Sequence, residues 1–149
     1  MKIDIVQVEL TKKGYVILNN TTGFAYGVDT SKNIFIEQIG KCNIEMVGLI
    51  CMDNANKIIN YSNIAIGNID TVKVSISQIF KVALLSNATK IIIAHNHPSG
   101  VLEITESDIE LTKKIGMAAG IFNIDLIDSL IINQMGKVIS IREKIKELI

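Results

Sequence analysis

Both histidines of the 149-residue chain stand two residues apart, in His95-Asn96-His97, and Asp108 follows eleven residues after the second. In extended backbone, residues i and i+2 point to the same face, so the two imidazoles can reach one ion together. Residues 98–107, opened by Pro98, Ser99 and Gly100, are long enough to turn the chain and bring Asp108 back to that ion. Two histidines and a carboxylate, with a fourth position left for water, are the ligand pattern of catalytic zinc rather than the closed four-ligand pattern of structural sites. A plainer reading covers the same residues. A histidine pair at a strand end can be an ordinary turn, and Asp108 lies three residues after Thr105, where a carboxylate caps a helix for local reasons. Spacing leaves both readings open, because paired histidines without a fixed third ligand recur by chance.

The elements that must position these side chains follow from periodicity. Residues 91–94, Ile-Ile-Ile-Ala, read as a buried strand ending at the histidines, where Pro98 and Gly100 prevent regular continuation. Thr105-x-x-Asp108 is a capping-box pattern that opens a helix carrying Ile109, Leu111 and Ile115 through Ala119, with Gly120 as C-cap. A second box, Ser75-x-x-Gln78, precedes a helix over 77–86 whose apolar face is Ile79, Phe80, Val82, Ala83 and Leu84. Residues 45–52 read as a strand, 53–56 as its turn and 57–66 as the returning antiparallel strand. Nearer the start, imperfect alternation over 2–10 and an extended run at 15–18 predict a hairpin, followed by a turn at 19–23. Thr30 or Ser31 then caps a short helix carrying Ile34, Phe35, Ile36 and Ile39, which Gly40 ends. Strands at 123–132 and 138–141 precede a short helix at 142–148. This mixed order predicts an α/β or α+β fold with helices packed around one sheet.

Composition narrows the function classes. At 48% hydrophobic and 20% charged, with 10 Gly and 1 Pro, the chain has the profile of a single compact domain over residues 1–149. Its size needs neither disulfide nor structural metal to fold, so a metal here has another purpose. Fifteen basic against fifteen acidic residues give zero net charge, without the basic excess that phosphate-backbone binding requires. Low aromatic content (5%) leaves few platforms for stacking bases. Direct nucleic-acid binding is therefore not expected. No apolar run reaches the ~20 residues of a spanning helix, so no membrane partner is expected. Cys42 and Cys51 form no disulfide framework and no leader-like segment opens the chain, which points to a reducing cytoplasm and to both cysteines as buried small hydrophobes.

The stretch Ala94-His-Asn-His-Pro-Ser-Gly100, followed by Thr105-x-x-Asp108-x-x-Leu111-Thr112, resembles the signature of the RadC family within the JAB/MPN (JAMM) metalloprotease superfamily. That signature is His-x-His, seven residues beginning with Pro, then Ser, two residues and Asp; His95, His97, Pro98 and Asp108 are in register, with Thr105 in place of Ser. Upstream, Glu45 through Asp53 resembles the family's strand that starts with Glu and ends with Asp, and Gly67-Asn-Ile-Asp70 resembles its Gly-Thr-Ile-Asp turn. The helix from Ser77, with Asn87-Ala88, and the strand Ile127-Asp128-Ser-Leu-Ile-Ile132 also have counterparts, although Ser129 replaces a frequent His. The resemblance covers residues 43–142. Residues 1–42 read as a divergent N-terminal segment packed on that core, without the helix-hairpin-helix region that precedes the domain in full-length RadC proteins.

The resemblance implies a JAB/MPN-like, cytidine-deaminase-like three-layer sandwich around a mixed sheet. It also implies one Zn2+ per chain, held by His95, His97 and Asp108, with a water in the fourth position. Glu45, from another strand, would hydrogen-bond that water as general base, with Glu103 and Glu106 as its rivals. Thr105, or less favourably Ser107, would donate to the tetrahedral oxyanion. The implied function is zinc-dependent hydrolysis of a peptide or isopeptide amide bond, with a protein or peptide as substrate. A non-catalytic protein-interaction module and a DNA-repair accessory are the alternatives, and a homo-oligomer stays open. Ser99 and Asn96 could orient the loop or substrate but read first as turn-formers, and Asp53 and Asp128 as stabilisers of turns or strand ends.

Overall fold

In a computed structural model, residues 1–18, 22–66 and 74–147 are described, so Gly67–Asp70 and most of the turn at 19–23 fall outside the described residues. Element order is α1 (Val28–Phe35) with a π-helical continuation (Ile36–Gly40), β1 (Met46–Met52), β2 (Ile58–Ile66) and α2 (Ile76–Leu85). These are followed by β3 (Lys90–His97), α3 (Glu106–Ile121), β4 (Asp125–Asn133), β5 (Val138–Ser140) and α4 (Ile141–Glu147). The strands form one mixed sheet in the order β2-β1-β3-β4-β5, antiparallel except for the β3–β4 pair. A parallel neighbour requires a crossover, and α3 supplies it.

Alternation along the central strands sorts the core into two layers. Val47, Leu49, Cys51, Ile91 and Ile93 face α2 and α3, meeting Ile79, Phe80, Ala83, Ile115 and Ala119. Met46, Ile50, Met52, Ile92 and Ala94 face the other way, onto Ile34, Phe35 and Ile39 of α1 and its continuation. Helices on both faces of a mixed sheet are the α+β sandwich that the element order predicts. The two-sided burial explains the nearly unbroken apolar runs, since neither face of β1 or β3 can be polar.

Local signals account for most boundaries. The Ser75 hydroxyl accepts from the Gln78 N–H and opens α2. Asp53 Oδ1 accepts from the N–H groups of Ala55 and Lys57, building the β1–β2 turn, in which Asn56 is left-handed at φ 64. Buried Asp128 receives the Ser140 hydroxyl on both oxygens at 2.8 Å, and Ser140 Oγ accepts in turn from the Glu143 N–H at the start of α4. Cys51 is buried, and burial pushes its thiol up to about 11, the behaviour of an inert small hydrophobe. Cys42 is only half-buried.

Four expectations are corrected. Residues 1–18 form no hairpin, and Ile3, Ile5, Val6 and Val8 are each at least 72% exposed. The alternation slips phase between Ile5 and Val6, so no continuous apolar face exists, and an isolated hairpin is marginal in water. α1 starts earlier than Thr30: Gly27 is its N-cap, while Thr30 Oγ1 accepts from the Tyr26 N–H and the Ser31 hydroxyl donates to the Gly27 carbonyl. β3 does not stop before the histidines, because β4 pairs with it in parallel as far as His97↔Asn133. Gly120 lies inside α3; Phe122 is the C-cap, and Asn123 takes the left-handed conformation at φ 54.

Gly48 is constrained by packing. A Cβ there would lie 2.6 Å from Tyr61 Oη and 3.1 Å from Phe35 Cδ1, and the two rings pack edge to face against each other. Gly48→Ala is expected to lower stability by ~1–3 kcal/mol, the usual cost of overpacking, and urea denaturation checks it.

Candidate metal centre

His95 and His97 stay in extended backbone because β3 is braced on both sides. Val47 pairs with His95 from β1, and Ile131 and Asn133 pair with His95 and His97 from β4. Both imidazoles therefore leave the sheet on the α2/α3 face. Past His97 the chain turns sharply, with the Gly100 N–H donating to the His97 carbonyl and Gly100 left-handed at φ 82. Two side chains from the end of β4 hold this turn: Gln134 donates to the Pro98 carbonyl at 2.8 Å and Asn133 to that of Gly100 at 3.2 Å. The chain then enters α3 through a complete capping box. Thr105 Oγ1 accepts from the Asp108 N–H, while Asp108 Oδ2 accepts from the Thr105 N–H at 2.8 Å.

These constraints bring the three side chains together. Among the described residues, His95, His97 and Asp108 are the one group of three such side chains whose ligand atoms converge, all within 4.8 Å of one another. His95 Nε2 lies 3.1 Å from His97 Nε2 and 3.0 Å from Asp108 Oδ1, and His97 Nε2 lies 4.0 Å from Asp108 Oδ2. Ligand atoms at about 2.0–2.2 Å from a tetrahedral zinc stand a little over 3 Å apart, so little movement closes the set. The chemistry also fits. His97 Nδ1 faces the Val101 carbonyl at 3.1 Å, and because a carbonyl can only accept, the proton belongs on Nδ1 and the lone pair on Nε2. Burial alone would push the Asp108 carboxyl up; the His95 hydrogen bond and charge, with the Thr105 N–H and hydroxyl, outweigh it and hold the group at about 2. Asp108 is thus an anion ready to bind a cation.

A cavity of about 310 Å3 opens over these three side chains, and Glu45, His97, Glu103, Thr105, Ser107 and Asp108 are among its lining residues. His95 lies deeper, 4% exposed. Glu45 immediately precedes β1, and continuing the Val47↔His95 register by two residues sets it opposite His97. The structure therefore brings Glu45 and Glu103 to the cavity, whereas Glu106 does not line it. Thr105 reaches the rim, where its hydroxyl also donates to Asp108 Oδ2 at 2.8 Å. Thr105→Ala is expected to cost ~1 kcal/mol of stability through loss of the cap, and Thr105→Ser to restore it, as read by chemical denaturation. Two larger hollows, about 500 and 620 Å3, lie against α4 around Asp128 and Arg142, and none of the three ligand residues lines either.

The sequence reading missed two contributors. The Val101 carbonyl that fixes the His97 tautomer carries no side-chain signal. Asn96, read as a turn-former, is instead a buried strand residue on the opposite face from its neighbours, and its polar side chain between two ligands was the available clue.

Residues 27–147 match the family model described as a RadC-like JAB domain. The chain belongs to that family. Similar curated proteins are UPF0758 proteins: one from Cellvibrio japonicus, 35% identical over 67% of this chain and 44% of the relative, and one from Finegoldia magna, 34% identical over 70% and 47%. A third, from Caldanaerobacter subterraneus subsp. tengcongensis, is 32% identical over 88% of this chain and 57% of its own length. The chain thus spans about half the length of the curated relatives it matches. Within the RadC-like JAB domain, the match takes in β1, the histidine strand and α3, which carry Asp108 and its partners. No helix among the described residues is long and apolar enough to cross a membrane.

Proposed function

We propose that this RadC-like JAB domain is a zinc-dependent hydrolase of peptide or isopeptide amide bonds. The observation that carries the reading is the convergence of His95, His97 and Asp108 beneath a cavity that Glu45 also lines. His95, His97 and Asp108 would hold the zinc ion, which would supply activation of a water at neutral pH and polarisation of a substrate carbonyl. Glu45 takes the proton of the attacking water and passes it to the leaving amine, so one carboxylate serves as base and then acid. Thr105, on the cavity rim, would turn its one hydroxyl proton from Asp108 Oδ2 to the developing oxyanion. The Val101 carbonyl, by accepting from Nδ1, keeps His97 in the tautomer whose Nε2 lone pair is open to a cation. Free Cys42 and Cys51 suit a reducing cytoplasm as the place of action.

The reading is tested by incubating zinc-loaded protein with peptide and isopeptide-linked substrate libraries and identifying products by mass spectrometry. Cleavage that a chelator abolishes and added zinc restores is expected. A zinc-loaded protein that cleaves nothing, or cleavage that persists in His97→Ala, would overturn it and favour the non-catalytic interaction module.

A further inference from the structure

Asn96 sits between the two histidines yet faces away from them, only 1% exposed. The β1–β3 backbone ladder ends at Val47↔His95, one step short of Asn96, and from there the side chain of Asn96 replaces the missing rungs. Its Oδ1 accepts from the Met46 N–H at 2.6 Å, and its Nδ2 donates to the carbonyls of Ile44 at 3.0 Å and Cys42 at 3.2 Å. One acceptor and two donors meet one N–H and two C=O groups, so the amide is matched to this segment and to no other orientation. Glu45 lies between two of the three clamped residues. Its backbone is therefore held on both sides by the residue that separates two ligands.

We infer that Asn96 is a positioning residue that acts through Glu45, fixing the base relative to the metal centre; the inference rests on the hydrolytic reading proposed above. The clamp and the ligands share one strand, so any displacement of β3 carries Glu45 with the imidazoles and preserves their spacing. Misplacing a reacting group by about 1 Å can cost ~10²-fold in rate, which makes such a clamp worth building.

Two variants test it. Asn96→Asp keeps the shape and the acceptor for Met46 but sets a carboxylate oxygen against the Ile44 and Cys42 carbonyls, and Asn96→Ala removes all three bonds. Both are expected to retain wild-type zinc content, since His95, His97 and Asp108 are intact. Amide exchange over residues 44–46 is expected to accelerate at least about ten-fold. Hydrolysis is expected to fall ~10²-fold, and the Glu45→Gln/Asn96→Asp double variant to be no slower than Glu45→Gln alone, as for two residues acting in series. Unchanged exchange, loss of zinc, or an Asn96 effect that multiplies that of Glu45→Gln would overturn the positioning role while leaving the hydrolase standing. Wild-type activity in Glu45→Gln would instead remove Glu45 as the base, and the positioning role of Asn96 with it.

Discussion

His97→Ala is expected to reduce bound zinc from about one ion per chain to a small fraction under identical preparation, as measured by elemental analysis. His97 is half-buried and lines the cavity, so its loss opens the site to solvent as well as removing one of three candidate donors. Two remaining protein ligands are too few to hold zinc tightly. The fold should survive, because His97 ends its strand and contributes to neither core layer. Hydrolysis should vanish with the metal, and retained zinc in His97→Ala would exclude the ligand set. Asp108→Ala should lose zinc too, with a further ~1 kcal/mol of stability, since that carboxylate also caps α3.

Glu45→Gln separates chemistry from binding. The amide is nearly isosteric with the carboxylate but cannot take a proton, so hydrolysis is expected to fall by ~10²–10⁴-fold with zinc content unchanged. Peptide cleavage and metal analysis on the same preparation check both halves. Glu103→Gln is the control, because Glu103 also lines the cavity but comes from the loop before α3 rather than from the clamped segment beside β1. A large loss in Glu103→Gln with none in Glu45→Gln would move the base to the loop.

What was legible in the sequence was what local rules govern. The Ile91–Ala94 run and the Thr105/Asp108 box each encode an element within a few residues, and the ten residues between His97 and Asp108 limit how far the carboxylate can stray, so the three candidate ligands could be gathered from one short stretch. Glu45 could not be placed that way. It reaches the site only through the register of β1 on β3, and it was the family resemblance that singled it out. Asn96 escaped for a related reason: its partners lie 50 to 54 residues away, and a polar residue two positions before Pro98 reads as a turn until β4 is seen carrying the strand onward. At the start of the chain the error ran the other way, since the alternation over 2–10 is a genuine strand preference without a sheet to satisfy it.

The three candidate ligands, His95, His97 and Asp108, come from the middle strand of the sheet and from the first turn of α3. A cation bound between them would bolt the crossover helix to the sheet, and global unfolding would have to break that attachment. At a hundred-fold excess over its dissociation constant, an ion bound only by the folded chain adds about 2.7 kcal/mol to the unfolding free energy. The melting temperature thereby becomes a gauge of occupancy, and a panel of divalent ions, or of carboxylate and amide compounds added to the zinc-loaded protein, can be ranked by thermal shift before any scissile bond is known.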